Sequence, residues 1–174
     1  VMRSVALPLL LSPFLGILVG YIVFSLLRSL FARSHRGMGH FFAVMHKPTL
    51  GFLAACHGSN DAQKSMGLIA LILSAGHGEM HGDLALPAWA IVSCAAILAL
   101  GLSTGGWRIV KTVGYGISRM EPVHSFASHI SASAVIVTAS LLGGPVSTTQ
   151  VVASSVMGVG ASRRLSGVRW SAAA

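Results

Sequence analysis

Residues 57–64 read His-Gly-Ser-Asn-Asp-Ala-Gln-Lys and lie inside a stretch, residues 48–73, that is otherwise apolar. His57, Asn60, Asp61, Gln63 and Lys64 thus bring an imidazole, two amides, a carboxylate and an ammonium where a membrane-spanning helix is expected. A charge at the centre of a bilayer costs at least ~2.5–3.5 kcal/mol on insertion scales, so such groups face a protein interior or a wet cavity and mark a transport path. Carboxylate and amide oxygens suit a small cation, and an imidazole with an ordinary pKa near 6.5 can carry a proton. The Gly58-Ser59-Asn60-Asp61 group also offers an internal N-cap. The expectation is a discontinuous helix broken there.

A second polar group follows Gly143-Gly144-Pro145-Val146, as Ser147-Thr148-Thr149-Gln150. Ser147 and Gln150 have the spacing of a capping box, with Ser at the N-cap and Gln at the third helical position. Hydroxyls and free amides at a helix N-terminus attract anions. The apolar run 151–159 behind them is shorter than the ~20 residues of a full span, which predicts a re-entrant half-helix.

Composition fixes the setting. The chain has 174 residues, 53% of them hydrophobic and 9% charged, with a mean hydropathy of +0.76. A soluble domain carries about 25% charged residues, so this is an integral membrane protein. The formal net charge of +8 does not point to nucleic acid, because the basic residues lie between apolar runs rather than along a polar face. Cys56 and Cys94 both fall in apolar runs and form no disulfide framework.

The supporting elements follow in order. Residues 5–31 form a first transmembrane helix, too long and too arginine-flanked for a signal peptide, and Gly16 and Gly20 in it have the spacing of a close-packing motif. Residues 34–47 read as a basic loop with solvated His35, His40 and His46, and the organising helix that follows starts as early as Phe41. Residues 74–86 read as a loop containing Glu79 and Asp83; His77 and His81 flank Glu79 at helical spacing but not in a peptidase order, and no metal site is assigned. Residues 87–102 are a third span. Residues 105–120 form a basic amphipathic segment at the membrane surface, ended by Glu121-Pro122. Residues 124–142 are a span rich in Ser, with His129 in it.

The basic residues form three clusters: Arg28, Arg33, Arg36 and Lys47; then Arg108, Lys111 and Arg119; then Arg163, Arg164 and Arg169. With basic loops cytoplasmic, the N-terminus lies outside and the last unit enters and leaves on the cytoplasmic side. A helical hairpin turning at residues 143–147 satisfies this. The fold class is therefore all-α integral membrane, with about four to five transmembrane helices, a broken helix and a re-entrant helical hairpin. Secondary transporters place helix N-termini against an anion and oxygen ligands around a coupling cation. A small oxyanion carried with a cation is the natural ligand.

Residues 57–67, His-Gly-Ser-Asn-Asp-Ala-Gln-Lys-Ser-Met-Gly, resemble the second repeated motif of the inorganic phosphate transporter (PiT) family. Gly106-Trp107-Arg108, Pro145-Val146-Ser147-Thr148-Thr149 and Met157-Gly158-Val159-Gly160-Ala161 resemble its C-terminal half, so the likeness covers nearly the whole chain. The resemblance implies one half of an inverted-repeat symporter in the bacterial cytoplasmic membrane. It would take up inorganic phosphate with protons or sodium, in bacterial members often as a neutral metal complex, with no cofactor. It assigns Ser147, Thr148, Thr149 and Asn60 to phosphate and Asp61 with Asn60 to the coupling cation, with His57, Gln63 and Lys64 in proton or supporting roles.

The chain departs from the family pattern at Gln150, where a His is usual. The first repeat and the last helix are expected to be missing, so that residues 1–174 form a single transmembrane domain needing a partner repeat or a second copy. Two other readings compete. A transport-inactive fragment or subunit that needs a partner repeat is one; separately, Asp61 and Lys64, three apart on one helical face, read as a structural pair that neutralises itself without any substrate. The other is an intramembrane hydrolase using Ser59 or Ser147 with His57 or His129, although no nucleophile motif surrounds either serine.

Overall fold

The computed structural model describes residues 2–31, 38–77, 87–105, 121–144 and 146–163. These residues form five helices: α1 Met2–Phe31, α2 Met38–His77, α3 Ala88–Gly105, α4 Pro122–Leu141 and α5 Thr148–Arg163. The amphipathic segment expected over residues 105–120 lies almost wholly outside the described residues.

The directions of the helices follow from which residues meet. Thr49 reaches His129 and Asn60 reaches Ser140, so α2 and α4 run parallel. Ser25 reaches Ser162 while Gly16 lies at Ser154, so α1 and α5 also run parallel. Phe24 stacks on His124 and Gly144 lies against Pro8, which makes α4 antiparallel to α1. The C-terminal ends of α1 and α5 and the N-terminal ends of α2 and α4 therefore share one end of the bundle. Arg28 in the last turn of α1 marks that end as basic.

The tightest seam joins α1 to α5. A Cβ on Gly16 would meet Ser154 Oγ, one on Gly20 would lie 2.5 Å from the Ser155 carbonyl, and one on Gly158 would run into the Ile17 carbonyl. Small residues on both helices bring the backbones together, as they do where lipid supplies no hydrophobic drive between helices. The Gly16/Gly20 spacing is thus used as expected, with Gly158 as its counterpart. Two prolines sit within α1, and one loss is covered locally. Pro13 cannot donate to the Leu9 carbonyl, and Ser12 Oγ donates to it instead at 3.0 Å.

The core is small. Leu53, Cys56, Ala132, Val135, Ile136, Val146 and Val151 pack between α2, α4 and α5, and Phe24, Ala127 and Val159 continue it toward the basic end. Outside it large apolar side chains point away from the bundle, with Leu10, Phe14, Leu30, Val92, Ile97 and Leu100 each more than 65% exposed. A water-facing surface would not carry them in this density, whereas lipid or further helices would cover them. Among the described residues one helix, Leu7–Phe31 with a mean hydropathy of 2.2, is long and apolar enough to cross a membrane, and Ala88–Thr104 is a shorter apolar helix.

Several expectations are corrected. The organising helix is not broken at Gly58–Asp61, because α2 continues through it for 40 residues, about 60 Å at 1.5 Å per residue. Its polar side chains satisfy one another and a neighbouring helix end, so the backbone has no reason to open, and no proline interrupts residues 49–77. Nor are all of residues 34–47 loop: α2 begins at Met38, which places His40 and His46 on a helix, His46 Nδ1 lying 3.2 Å from the Phe42 carbonyl. His35 lies outside the described residues. Helix also takes over the start of the 74–86 loop, since α2 runs to His77; Glu79 and His81 lie outside the described residues. Finally, Glu121 and Pro122 begin α4, two residues ahead of the expected start at His124, while the segment they were expected to end lies almost wholly outside the described residues. Pro122 occupies the first helical position, where its missing N–H costs nothing, and the Glu121 amide donates to His124 Nδ1 at 3.2 Å.

Candidate functional site

Asp61 projects from the middle of α2 toward the start of α5. One of its oxygens, Oδ1, takes Lys64 Nζ at 3.0 Å, one helical turn along. The other, Oδ2, lies 3.1 Å from His57 Nε2, one turn back. The spacings i−4 and i+3 put all three side chains on one face. The carboxylate is thus held from both sides by its own helix.

The helix hairpin of α4 and α5 closes over this face. At the turn, Gly143 adopts φ +68, a left-handed conformation that favours glycine. The Gly143 and Gly144 amides donate to the Ser140 and Ala139 carbonyls at 3.1 and 2.9 Å, which ends α4. Ser147 then occupies the cap position of α5, its carbonyl accepting the Val151 amide at 3.0 Å. Thr148, 4% exposed, turns its hydroxyl to α2. Its Oγ1 lies 3.3 Å from His57 Nε2 and donates to Asp61 Oδ2 at 3.5 Å. Lys64 Nζ donates across the junction to the Val146 carbonyl at 2.6 Å.

Asn60 completes the junction on the other helix of the hairpin. Its Nδ2 donates to Ser140 Oγ at 2.7 Å, while its Oδ1 is buried with no partner among the described residues. A buried amide oxygen left open costs about 1–3 kcal/mol. It is an acceptor available to a donor or a cation.

Of the residues singled out in the sequence, the structure brings His57, Asn60, Asp61, Lys64, Thr148 and the half-buried Ser147 to one junction. Gln63, Thr149 and Gln150 are exposed. The Asp61–Lys64 pair expected of a purely structural reading is present, but it is only part of a larger set. Ser59 is exposed, and the histidines named for a hydrolase meet threonines, His57 at Thr148 and His129 at Thr49. Sequence reasoning missed Ser140 and the Val146 carbonyl. Their one signal was position, each a few residues from the Gly143-Gly144 turn. An apolar cavity of about 540 Å³ opens between α1, α4 and the turn, and α2 contributes nothing to its lining. Val146, whose carbonyl takes Lys64, is the one junction residue that also lines it.

The sequence profile of the Phosphate transporter family matches residues 1–174. The chain belongs to this family. Among phosphate transporter relatives, a protein of Bacillus subtilis (strain 168) named "Probable low-affinity inorganic phosphate transporter" is 37% identical over 95% of this chain and 50% of its own length. One of the same name from Rhizobium meliloti (strain 1021) is 35% identical over 93% of this chain and 48% of its own. Another from Mycobacterium leprae (strain TN) is 35% identical over 99% of this chain and 42% of its own. The chain thus spans about half the length of the curated relatives it matches. No solved structure matches it. Membership in a phosphate transporter family makes this a membrane protein.

Proposed function

We propose that this chain forms one half of a phosphate symporter and that phosphate binds at the junction of α2 with the N-terminus of α5. The observation that carries this reading is Thr148, whose hydroxyl lies between His57 Nε2 and Asp61 Oδ2 at the mouth of a helix N-terminus. Hydroxyls of Ser147 and Thr148 and the first amides of α5 supply donors for phosphate oxygens, aided by the positive end of the helix. Thr149 joins them from the face turned away from α2, where a second half would complete the cradle. Asn60 Oδ1 and the Asp61 carboxylate form the adjoining acceptor side, suited to a coupling proton or sodium. His57 and Lys64 balance the charge there, and the exposed Gln63 supports them from a partner-facing surface.

The helix directions support the orientation inferred from charge. Both ends of the α4–α5 hairpin lie with Arg28 at the basic end, which is cytoplasmic under the positive-inside rule, so the hairpin enters and leaves on one side. In the bacterial cytoplasmic membrane the N-terminus of α1 then lies outside. The 20 residues of α4 measure about 30 Å, the full thickness of the hydrocarbon layer, so the hairpin tip reaches at least to membrane depth.

The test is uptake of radiolabelled phosphate by a host lacking its own phosphate transporters. The chain is expressed alone and beside the half of its relatives' length that it does not span. Uptake only in the second case is expected, because a site between repeats needs both. Asp61→Asn and Ser147→Ala are each expected to abolish it while membrane insertion persists. Absence of saturable phosphate uptake in both cases, with the protein present in the membrane, overturns the reading.

A further inference from the structure

We infer that the Lys64 ammonium is a tethered occupant of the cation position beside Asp61 and keeps sodium out of that position. The inference rests on the placement of the transport site at the α2–α5 junction and goes beyond it by naming what decides the coupling ion. Lys64 Nζ is held by Asp61 Oδ1 at 3.0 Å and by the Val146 carbonyl at 2.6 Å. A carboxylate oxygen and a main-chain carbonyl from the foot of a helix are the hard oxygen ligands that small cations take in transporter sites. Here an ammonium sits on both.

The other oxygen of the carboxylate is engaged as well. His57 and Thr148 hold Oδ2, and among the described residues Asp61 is the one carboxylate at the junction. A metal cation arriving next to Lys64 would meet a like charge at close range with a single anion to share. Helical spacing keeps the two groups within reach of each other, because Lys64 stands one turn from Asp61 on the same face. The charge that a bound cation would supply is already part of the protein.

The experiment compares phosphate uptake by proteoliposomes of the assembled transporter in sodium chloride and in choline chloride of equal ionic strength. The unaltered protein is expected to give equal rates, as is Lys64→Arg. Lys64→Met is expected to need sodium, its uptake rising about tenfold or more on sodium addition, the factor for one lost charge-assisted contact, and saturating. An unaltered protein that needs sodium overturns the inference, and so does a Lys64→Met protein whose uptake ignores it. Where Lys64→Met transports in neither medium, binding of radiolabelled sodium to the purified protein decides. Sodium bound by Lys64→Met or Lys64→Gln and not by the unaltered protein sustains the inference, and equal binding or none by either variant overturns it. Sodium binding of the expected pattern without phosphate uptake by the unaltered protein would instead discard phosphate as the substrate.

Discussion

At the scale of single residues, the junction is organised by hydrogen bonds to one carboxylate, and Thr148 is its cross-helix member. Its hydroxyl carries the α5 helix onto the Asp61 carboxylate, so its removal leaves the threonine's shape and the Lys64–Val146 link but takes that contact away. A hydrogen bond to a charged group contributes about 1.5–3 kcal/mol, roughly a factor of 10–100. Thr148→Val is therefore expected to lower phosphate uptake by about that factor, while Thr148→Ser, which keeps the hydroxyl, retains most of it. Equal rates for the two variants would remove Thr148 from the site. Ser140 acts at one remove, by holding the Asn60 amide at 2.7 Å. Ser140→Ala frees that amide to rotate, and is expected to raise the KM for the coupling ion more than it lowers kcat, with Ser140→Thr restoring it. The residue types at the site were legible in the sequence, because charges in an apolar run demand a purpose. Ser140 was not, since a serine in a serine-rich span looks the same whether it packs or positions.

At the scale of elements, the helices were legible and their interruptions were not. The apolar runs led to α1, α3 and α4 within a few residues, and the Gly-Gly-Pro stretch to the turn between α4 and α5. The break expected at Gly58–Asp61 failed for a physical reason: cap-forming side chains open a helix only when they lack other partners. Asn60 found Ser140, and Asp61 found His57 and Lys64. Likewise His40 and His46 suggested a loop by composition, although a helix already begins at Met38. The α1–α5 seam carries a prediction at this scale. A methyl group on Gly158 would collide with the Ile17 carbonyl, main-chain atoms that cannot step aside. Gly158→Ala is expected to cost about 1–3 kcal/mol by overpacking, seen as a lower yield and melting temperature in detergent. Gly101→Ala in α3, where a methyl group meets nothing within 4 Å, is expected to be neutral or to gain up to about 1 kcal/mol from helix propensity. A tolerated Gly158→Ala would show that the two helices separate readily.

At the scale of the whole molecule, the parallel and antiparallel pairs tie the charge pattern to a definite topology. Phe31, the first residues of α2, Glu121 and the end of α5 share the basic end, and the proposed orientation would put the start of α3 at the opposite face. Cys56 and Cys94 are both buried, so a cysteine introduced at an exposed helix end is read by a membrane-impermeant maleimide over a low background. Trp89, 62% exposed at the start of α3, is expected as Trp89→Cys to react in intact cells. Glu121→Cys, at the start of α4, is expected to react only in inside-out vesicles. The pair separates the alternatives cleanly, because α4 and α5 form a hairpin whose ends cannot lie on different sides. Labelling of Glu121→Cys from outside would invert the whole bundle, placing the Asp61 junction on the other side of the bilayer centre. Labelling of both from one side would break the assignment of α3 as a span and leave Leu7–Phe31 as the helix that carries the chain across.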